Sequence, residues 1–327
     1  MDPACVLAVS GGVGGAKLAR GFAGILPAGQ LGVLTNVGDD CRHLGLHIAP
    51  DLDTVMYTLG GVANPVLGWG RQDESWAFMD ALAALGGPTW FKLGVRDLAT
   101  HMRRTELLEQ GLSLTQATAM LCRGFGIASE IIPATDDALR TIVDTDAGVL
   151  AFQHYFVREA CRPVVRRLRF DGAARAVPSP RAVAWCERPD LTAIVLCPSN
   201  PYLSIDPILA IPGLRERLRG AGRAARVPVV AVSPLIGGAA VKGPTAKIMQ
   251  ELGIDQSVVS IARHYHGLID GLLLDPVDGD QAAAVEAMGI ATLTTGILMR
   301  DDADKERLAR ETLAFARDLA RPLARRS

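Results

Sequence analysis

The stretch Cys5-Val-Leu-Ala-Val-Ser-Gly-Gly-Val-Gly-Gly-Ala-Lys17 joins an apolar run to a turn that contains four glycines. The residues that follow are amphipathic, so the stretch predicts a buried strand, a glycine-rich turn and a helix over residues 17–25. Glycines allow positive φ and close approach of a ligand, and the free N–H groups and dipole of the next helix favour an anion. The stretch therefore predicts an α/β fold with a phosphate-binding turn.

Two familiar phosphate-binding fingerprints do not fit this turn. A Walker A motif requires Gly where Ala16 stands and Ser or Thr where Leu18 stands, and the dinucleotide pattern read from Gly12 places Lys17 at its last glycine position. An ordinary ATPase and an ordinary NAD enzyme are therefore disfavoured. A tight strand-to-helix connection without a ligand stays as an alternative.

Strand and helix signals alternate along most of the chain, which predicts a mainly parallel sheet with flanking helices. Apolar runs typical of buried parallel strands occur at residues 6–9, 31–35, 193–197, 227–232 and 268–274. Helices are predicted at residues 17–25, 52–59, 74–85, 114–123, 245–252 and 302–319. Residues 131–183 are strand-like with little helix, which predicts a smaller α+β insertion between the core segments 1–130 and 184–327.

The composition excludes a strong electrostatic field of one sign around the whole protein. Of 327 residues, 49% are hydrophobic, and 34 Lys and Arg stand against 35 Asp and Glu. Such a balance recruits neither nucleic acid nor an anionic membrane. No apolar run approaches the roughly 18 residues of a membrane span, and the first residues lack a basic signal-peptide region. We therefore expect a cytoplasmic protein with no nucleic-acid or membrane partner.

Acidic residues follow the second predicted strand, in Asn36-Val-Gly-Asp-Asp40 and Pro50-Asp-Leu-Asp-Thr54. Asp51 is a plausible helix N-cap, and capping alone remains an alternative role for it. Carboxylates at Asp39, Asp40 and Asp53 would repel nearby phosphates unless a cation lies between them, and Mg²⁺ suits such a site. As an exposed first-turn carboxylate, Asp53 is expected to contribute only about 1 kcal/mol to stability.

Two further loops follow predicted strands at the same edge of the sheet, where ligands of parallel sheets collect. Pro198-Ser-Asn-Pro201 presents a hydroxyl and an amide between two prolines, although a plain Asx or Ser turn is an equal alternative. Ser233-Pro-Leu-Ile-Gly-Gly238, followed by Lys242, suggests a second anion site. Phosphoryl transfer requires mainly positioning and charge stabilisation, which these groups can supply.

Taken in series, these motifs and Phe91-Lys-Leu-Gly-Val-Arg-Asp-Leu-Ala-Thr-His101 resemble the 2-phospho-L-lactate transferase (CofD-type) family, from the first strand to about Gly243. The resemblance implies a Rossmann-like core, a homodimer and an enzyme of coenzyme F-420 biosynthesis. Such enzymes transfer a phospholactyl, phosphoenolpyruvyl or phosphoglyceryl group from a guanosine diphosphate-linked donor to the 5′-hydroxyl of the deazaflavin Fo. They release GMP with the help of Mg²⁺, and which phospho-acid this chain uses stays open.

The resemblance also assigns candidate residues. Asp53 and Lys92 match Fo-binding positions, and Asp40, Asp51 and Asp53 are candidate catalytic residues, with Asp40 and Asp53 as candidate metal ligands. Donor-binding candidates are Gly11, Gly12, Gly14, Gly15, Lys17, Asn36, Arg96, Asn200, Ser204, Ser233 and Gly238.

Two alternatives belong to other functional classes. A non-catalytic nucleotide-sugar-binding regulator of the gluconeogenesis-factor type would carry Asp-Asp-Gly-Gly-Ser-Ser after the second strand, but Asp39-Asp40 is followed here by Cys41-Arg-His-Leu44. A nicotinamide oxidoreductase is disfavoured by the failed dinucleotide pattern.

Overall fold

The computed structural model describes residues 4–66, 68–221 and 227–323. The strands are β1 Val6–Ser10, β2 Leu31–Thr35, β3 Cys41–His43, β4 Leu46–Ile48, β5 Glu130–Pro133, β6 Arg140–Thr145, β7 Gly148–Ala151, β8 Val165–Asp171, β9 Ala193–Leu196, β10 Val229–Val232, β11 Leu235–Ile236, β12 Ala239–Ala240, β13 Gly271–Leu274 and β14 Ala291–Thr294. The helices are α1 Gly12–Ile25, α2 Pro50–Leu59, α3 Ala77–Ala84, α4 Val95–Glu109, α5 Leu114–Gly124, α6 Pro180–Cys186, α7 Asp206–Leu209, α8 Leu214–Arg219, α9 Thr245–Glu251, α10 Val258–His264, α11 Ala282–Glu286 and α12 Asp302–Leu323. Single π-helical turns occupy His154–Arg158 and Pro201–Ile205.

Seven strands form one parallel sheet in the order β14-β13-β10-β9-β1-β2-β5. Val6 pairs with Leu31 on one side and Ala193 on the other, so β1 is a central strand. Every residue of β1, β2, β9 and β10 is buried, as expected for a parallel sheet covered by helices on both faces. The predicted α/β fold is confirmed.

The sheet has a topological switch point between β1 and β9. The chain passes from β1 to β2 on one side, whereas it passes from β9 to β10 on the other. Connections that diverge in this way leave a crevice beyond the carboxyl ends of the two strands. The glycine turn and the Pro198–Pro201 loop lie at this crevice.

Some predicted boundaries differ from the observed ones. Strand β10 begins at Val229 because Pro228 has no N–H to donate to the sheet. Helix α1 begins at Gly12 rather than at Lys17, so the glycine-rich turn is largely the first turn of the helix itself. The edge strands β5 and β14 were not predicted as members of the sheet, and both are only four residues long.

Helices α1 and α12 cross at backbone distance. A Cβ built on Gly21 of α1 would lie 2.1 Å from the carbonyl oxygen of Lys305 in α12, so only glycine allows this approach. The contact joins the two ends of the chain and covers one side of the sheet. Among the described helices, α12 included, none is both long enough and apolar enough to cross a membrane.

A small antiparallel sheet in the order β7-β6-β8 lies within the predicted 131–183 insertion, whereas residues 131–133 belong to the main sheet. The small sheet contacts the loop that follows β2. Thr141 N donates to Gly38 O over 2.7 Å, and Gln153 Nε2 donates to Asp39 O over 2.9 Å. The insertion therefore supports the acidic loop; the division of the chain into domains stays a prediction.

Candidate active site

The glycines of the first turn permit close contact between loops. Gly11 N donates to Ser199 Oγ over 3.2 Å, which links the turns after β1 and β9. A Cβ on Gly14 would lie 2.3 Å from Pro198 O, and one on Gly15 would lie 2.5 Å from Ser199 Oγ. The glycines thus bring the two sides of the switch point together.

Asp51 connects this turn to the loop after β2. One carboxylate oxygen accepts from Gly12 N over 2.7 Å, and the other accepts from Asn36 Nδ2 over 2.9 Å. Asn36 in turn accepts from Gly38 N over 2.7 Å and so holds the acidic loop. Three of the predicted site residues, Gly12, Asn36 and Asp51, are therefore in direct contact.

Three carboxyl groups are buried side by side in this region, on Asp39, Asp40 and Asp51. Burial, followed by the negative charge of Asp51, raises the pKa of Asp39 well above its ordinary value. Burial raises the pKa of Asp51 to about 6 despite its hydrogen bonds. Burial also raises the pKa of Asp40, although the hydrogen bond from His47, 3.0 Å away, opposes this effect. A cation placed here would relieve the repulsion among these groups.

The side chains that could act as metal ligands fit a magnesium ion only in part. Within the described residues, no three His, Cys, Asp or Glu side chains converge as metal ligands. Asp40 Oδ1, however, is buried without a hydrogen-bond partner in that part of the chain. Because Mg²⁺ usually takes one or two carboxylates and completes its shell with water and phosphate oxygens, a single free carboxylate oxygen suits it.

Asp53 lies in a buried network rather than at the surface. The expectation that it is exposed is wrong, since the residue is only 4% exposed. Arg104 binds both of its oxygens, with Nη1 3.1 Å from Oδ2 and Nη2 on Oδ1. His101 Nδ1 lies 3.5 Å from Oδ2, and its Nε2 lies 3.2 Å from Asp97 Oδ2. Tyr57 donates to the other oxygen of Asp97 over 2.6 Å.

The residues Tyr57, Asp97, His101 and Arg104 were not predicted, yet the sequence contains a signal for the last three. They recur at spacings of three and four, which places them on one face of α4. The face is buried but polar, so a search for apolar periodicity passes over it. Burial would raise the pKa of Asp97, but the hydrogen bond and charge of His101, with Tyr57 and Arg104, lower it.

The predicted donor-binding residues occupy several positions around the crevice. Lys17 Nζ donates to Met299 O over 3.0 Å, and burial, then the charges of Lys305 and Lys242, lower its pKa. Ser204 lies against Gly11, where an added Cβ would be 2.5 Å from the serine Cβ. The glycine turn therefore has a lysine in the helix that follows it, α1, and a serine beside its first glycine, Gly11.

Other predicted residues stabilise their own turns. Asn200 Oδ1 accepts from the backbone N–H groups of Tyr202 and Leu203, whereas its Nδ2 is buried and has no partner within the described residues. Ser233 Oγ forms two hydrogen bonds with Leu235. Gly238 has a positive φ of 73°.

Lys92 and Arg96 lie farther out. Lys92 is exposed just before α4, and Arg96 in the first turn of α4 lies 3.5 Å from Asp73. In the described ranges no hydrogen bond or ion pair connects either residue to the glycine turn. The structure thus brings the glycine turn and the acidic loop together, whereas these two cations are exposed and have no such contact to the turn within the described residues.

The fold is similar to two crystal structures of a UPF0052-family protein from Bacillus halodurans. The first has a TM-score of 0.60 and 14% identity, and the match covers 96% of this chain and 99% of that one. The second has a TM-score of 0.64 and 14% identity, and the match covers 95% of this chain and 100% of that one. At this identity the likeness shows the fold alone.

The chain is also similar over nearly its whole length to proteins named phosphoenolpyruvate transferase. Identity is 39% with the Streptomyces coelicolor protein, covering 96% of this chain and 98% of that protein. The identity with the Streptomyces avermitilis protein is 40%, and the match covers 97% of this chain and 99% of that protein. The identity with the Mycobacterium tuberculosis protein is 37%, and the match covers 90% of this chain and 94% of that protein. The family model described as 2-phospho-L-lactate transferase CofD matches residues 6–298. The motifs, the fold and these relatives agree, and the chain belongs to the CofD family of transferases.

Proposed function

We propose that this chain transfers a phosphoenolpyruvyl group from a guanosine diphosphate-linked donor to the 5′-hydroxyl of Fo, as a step of coenzyme F-420 biosynthesis. The hydroxyl oxygen attacks the β-phosphorus, the bond from that phosphorus to the bridging oxygen breaks, and GMP leaves. The hydroxyl proton passes to a base or to water. Full-length similarity to phosphoenolpyruvate transferases supports the choice of the enolpyruvyl donor.

The observation that carries the proposal is the convergence at the switch point. The N-termini of α1 and α2 meet where Asp51 accepts from Gly12, and buried carboxyl groups lie beside them. Helix N-termini favour phosphate, whereas carboxyl groups favour a cation, so the pair suits a magnesium diphosphate. Lys17 and the free amide of Asn200 would bind donor phosphate and guanosine groups.

Asp40 would hold Mg²⁺ together with donor phosphate oxygens, because its Oδ1 is free. When bound, the ion supplies positive charge that neutralises the diphosphate as GMP leaves. Asp51 would orient the donor turn through Gly12, and Asp53, with the exposed Lys92, would bind the acceptor alcohol. The family resemblance makes a homodimer the expected form, which analytical ultracentrifugation tests.

The test is a donor competition. Fo, Mg²⁺ and equimolar lactyl, enolpyruvyl and glyceryl donors are incubated with the protein, and the products are identified by mass spectrometry. We expect GMP and the enolpyruvyl product in excess. No GMP with any donor, together with tight binding of a UDP-sugar, would favour the regulator instead.

A metal titration tests the role of Asp40. Asp40→Asn is expected to raise the Mg²⁺ concentration for half-maximal rate by at least about 10- to 100-fold, since the loss of a group that only supports a metal ligand already weakens a site by such factors. Asp80→Asn, at an exposed position on α3, is the matched control. Equal magnesium dependence in the two variants contradicts the assignment.

A further inference from the structure

The buried network between α2 and α4 contains a cation that the transfer reaction does not account for. We propose that Arg104 is a positioning residue, which fixes the orientation of the Asp53 carboxylate and thereby aims the acceptor alcohol. The inference rests on the proposed function, because it assigns Asp53 to the alcohol.

Arg104 determines how the Asp53 carboxylate is oriented. Two guanidinium nitrogens bind its two oxygens, and the Arg104 side chain is fully buried while that of Asp53 is 6% exposed. A bidentate contact of this kind fixes the plane of the carboxylate as well as its position. A carboxylate oxygen has two acceptor sites, and Arg104 is the one side chain of the described residues on Oδ1, so that oxygen can accept from an incoming O–H group.

Arg104 is itself held from both sides. Its Nη1 lies 3.3 Å from His101 Nδ1 and donates to His47 O over 3.4 Å. The same Nδ1 lies 3.5 Å from Asp53 Oδ2, and Nε2 lies 3.2 Å from Asp97 Oδ2, so the ring of His101 contacts Arg104, Asp53 and Asp97 together.

Side-chain contacts run in series from Tyr57 through Asp97, His101 and Arg104 to Asp53, and the backbone of α2 between Asp53 and Tyr57 closes the ring. Asp53 and Tyr57 are one turn apart on α2, and Asp97, His101 and Arg104 lie on one face of α4. A ring with two members on one helix and three on the other fixes how the helices are rotated against each other. The direction of Asp53 therefore depends on every member of the ring.

Packing alone does not explain a buried ion pair at this place. Well-packed apolar side chains of similar volume often stabilise a protein as much as a buried ion pair or more, because the two charges must lose their hydration. Arg104 Nε also lacks a hydrogen-bond partner among the described residues. Asp53 lies two residues after Asp51, which binds Gly12 of the glycine turn, so a carboxylate of fixed orientation is useful at this place.

The experiment compares steady-state constants for both substrates in wild type, Arg104→Met and Arg104→Lys. Arg181→Met is the matched control, since Arg181 also binds both oxygens of a carboxylate, that of Glu130, over 2.5 and 2.7 Å at the amino end of β5. Active-site titration with the donor normalises each rate to folded protein.

We expect Arg104→Met to lower kcat/KM for Fo by about 10- to 100-fold per folded molecule, as a small misplacement of a reacting group does. The KM of the donor should change little, and Arg104→Lys should recover part of the loss. Arg181→Met should change neither constant and should leave most of the protein folded, since the Arg181 side chain is 51% exposed. An Arg104→Met enzyme with wild-type constants per folded molecule overturns the proposal.

Tyr57→Phe covers the case in which Arg104→Met does not fold, since it removes the hydroxyl contact to Asp97 without leaving a charge unpaired. It should lower kcat/KM for Fo by about threefold, a fraction of the effect of a whole hydrogen bond to a charged group, because Tyr57 acts on Asp53 only through the ring. An unchanged constant in this variant counts against the ring. A wild type that uses no donor overturns the proposed function, whereas an active wild type with unaffected ring variants overturns the positioning role alone.

Discussion

The pair of Asp53 and Arg104 leads to a specific prediction about stability. Asp53→Asn removes the negative charge next to a guanidinium that is 0% exposed. Breaking a buried pair from one side leaves an uncompensated charge and typically costs about 3–5 kcal/mol of unfolding free energy. Folded chains have only about 5–15 kcal/mol in total. The variant should therefore fold but lose a large part of its stability.

The same change at an exposed first-turn carboxylate provides the comparison. Asp302 lies in the first turn of α12, its side chain is 61% exposed, and it accepts from Lys305 over 2.7 Å. Asp302→Asn should cost less than about 1 kcal/mol. For a chain of 327 residues, the loss expected at Asp53 lowers Tm by about 5 °C, which calorimetry and urea unfolding can measure.

A double variant separates the burial of charge from other effects. Asp53→Asn combined with Arg104→Met removes both charges and leaves no buried cation, so most of the lost stability should return. The reasoning is refuted if Asp53→Asn costs no more than Asp302→Asn. It is also refuted if the double variant is as unstable as Asp53→Asn.

Three further changes test other parts of the site. Burial raises the pKa of Asp51 to about 6, above the unfolded value, so its stabilising contribution is complete below pH ~4 and is lost as the pH rises through 6. The stability advantage of wild type over Asp51→Asn should thus fall by about 2.5 kcal/mol between pH 4 and 7.5 in urea unfolding; a constant difference contradicts this. Gly14→Ala places a Cβ 2.3 Å from Pro198 O and should lower the free energy of unfolding by about 1–3 kcal/mol. Gly124 has open space around it, so Gly124→Ala should raise the free energy of unfolding by up to about 1 kcal/mol in the same assay. Lys17→Met should raise the KM of the donor about tenfold in initial-rate assays and leave the KM of Fo unchanged, since a charged phosphate contact contributes about 1.5–3 kcal/mol; an equal rise in both would show a general defect.

The main sheet was predictable because buried parallel strands are continuous apolar runs, and the five predicted runs all lie in it. Helix α4 was missed since its buried face carries Asp97, His101 and Arg104 instead of apolar side chains. The exposure of Asp53 was predicted wrongly, because a first-turn position does not reveal what packs against it.

The glycine turn shows a second limit of sequence reasoning. A glycine that admits a ligand and a glycine that admits another backbone look alike in a sequence. Gly14 meets Pro198 O, a contact between residues far apart in the chain. Its partner became visible only when β1 and β9 were placed side by side.

The crossing of α1 and α12 has a consequence for biosynthesis on the ribosome. Gly21 rests against Lys305, so the first helix of the chain packs against the last one. During synthesis from the N-terminus, α1 has no such partner until α12 has left the ribosomal exit tunnel. The side of α1 that meets α12 therefore stays without this partner while the residues between the two helices are synthesised, although α2 is made early and can already cover another side of α1.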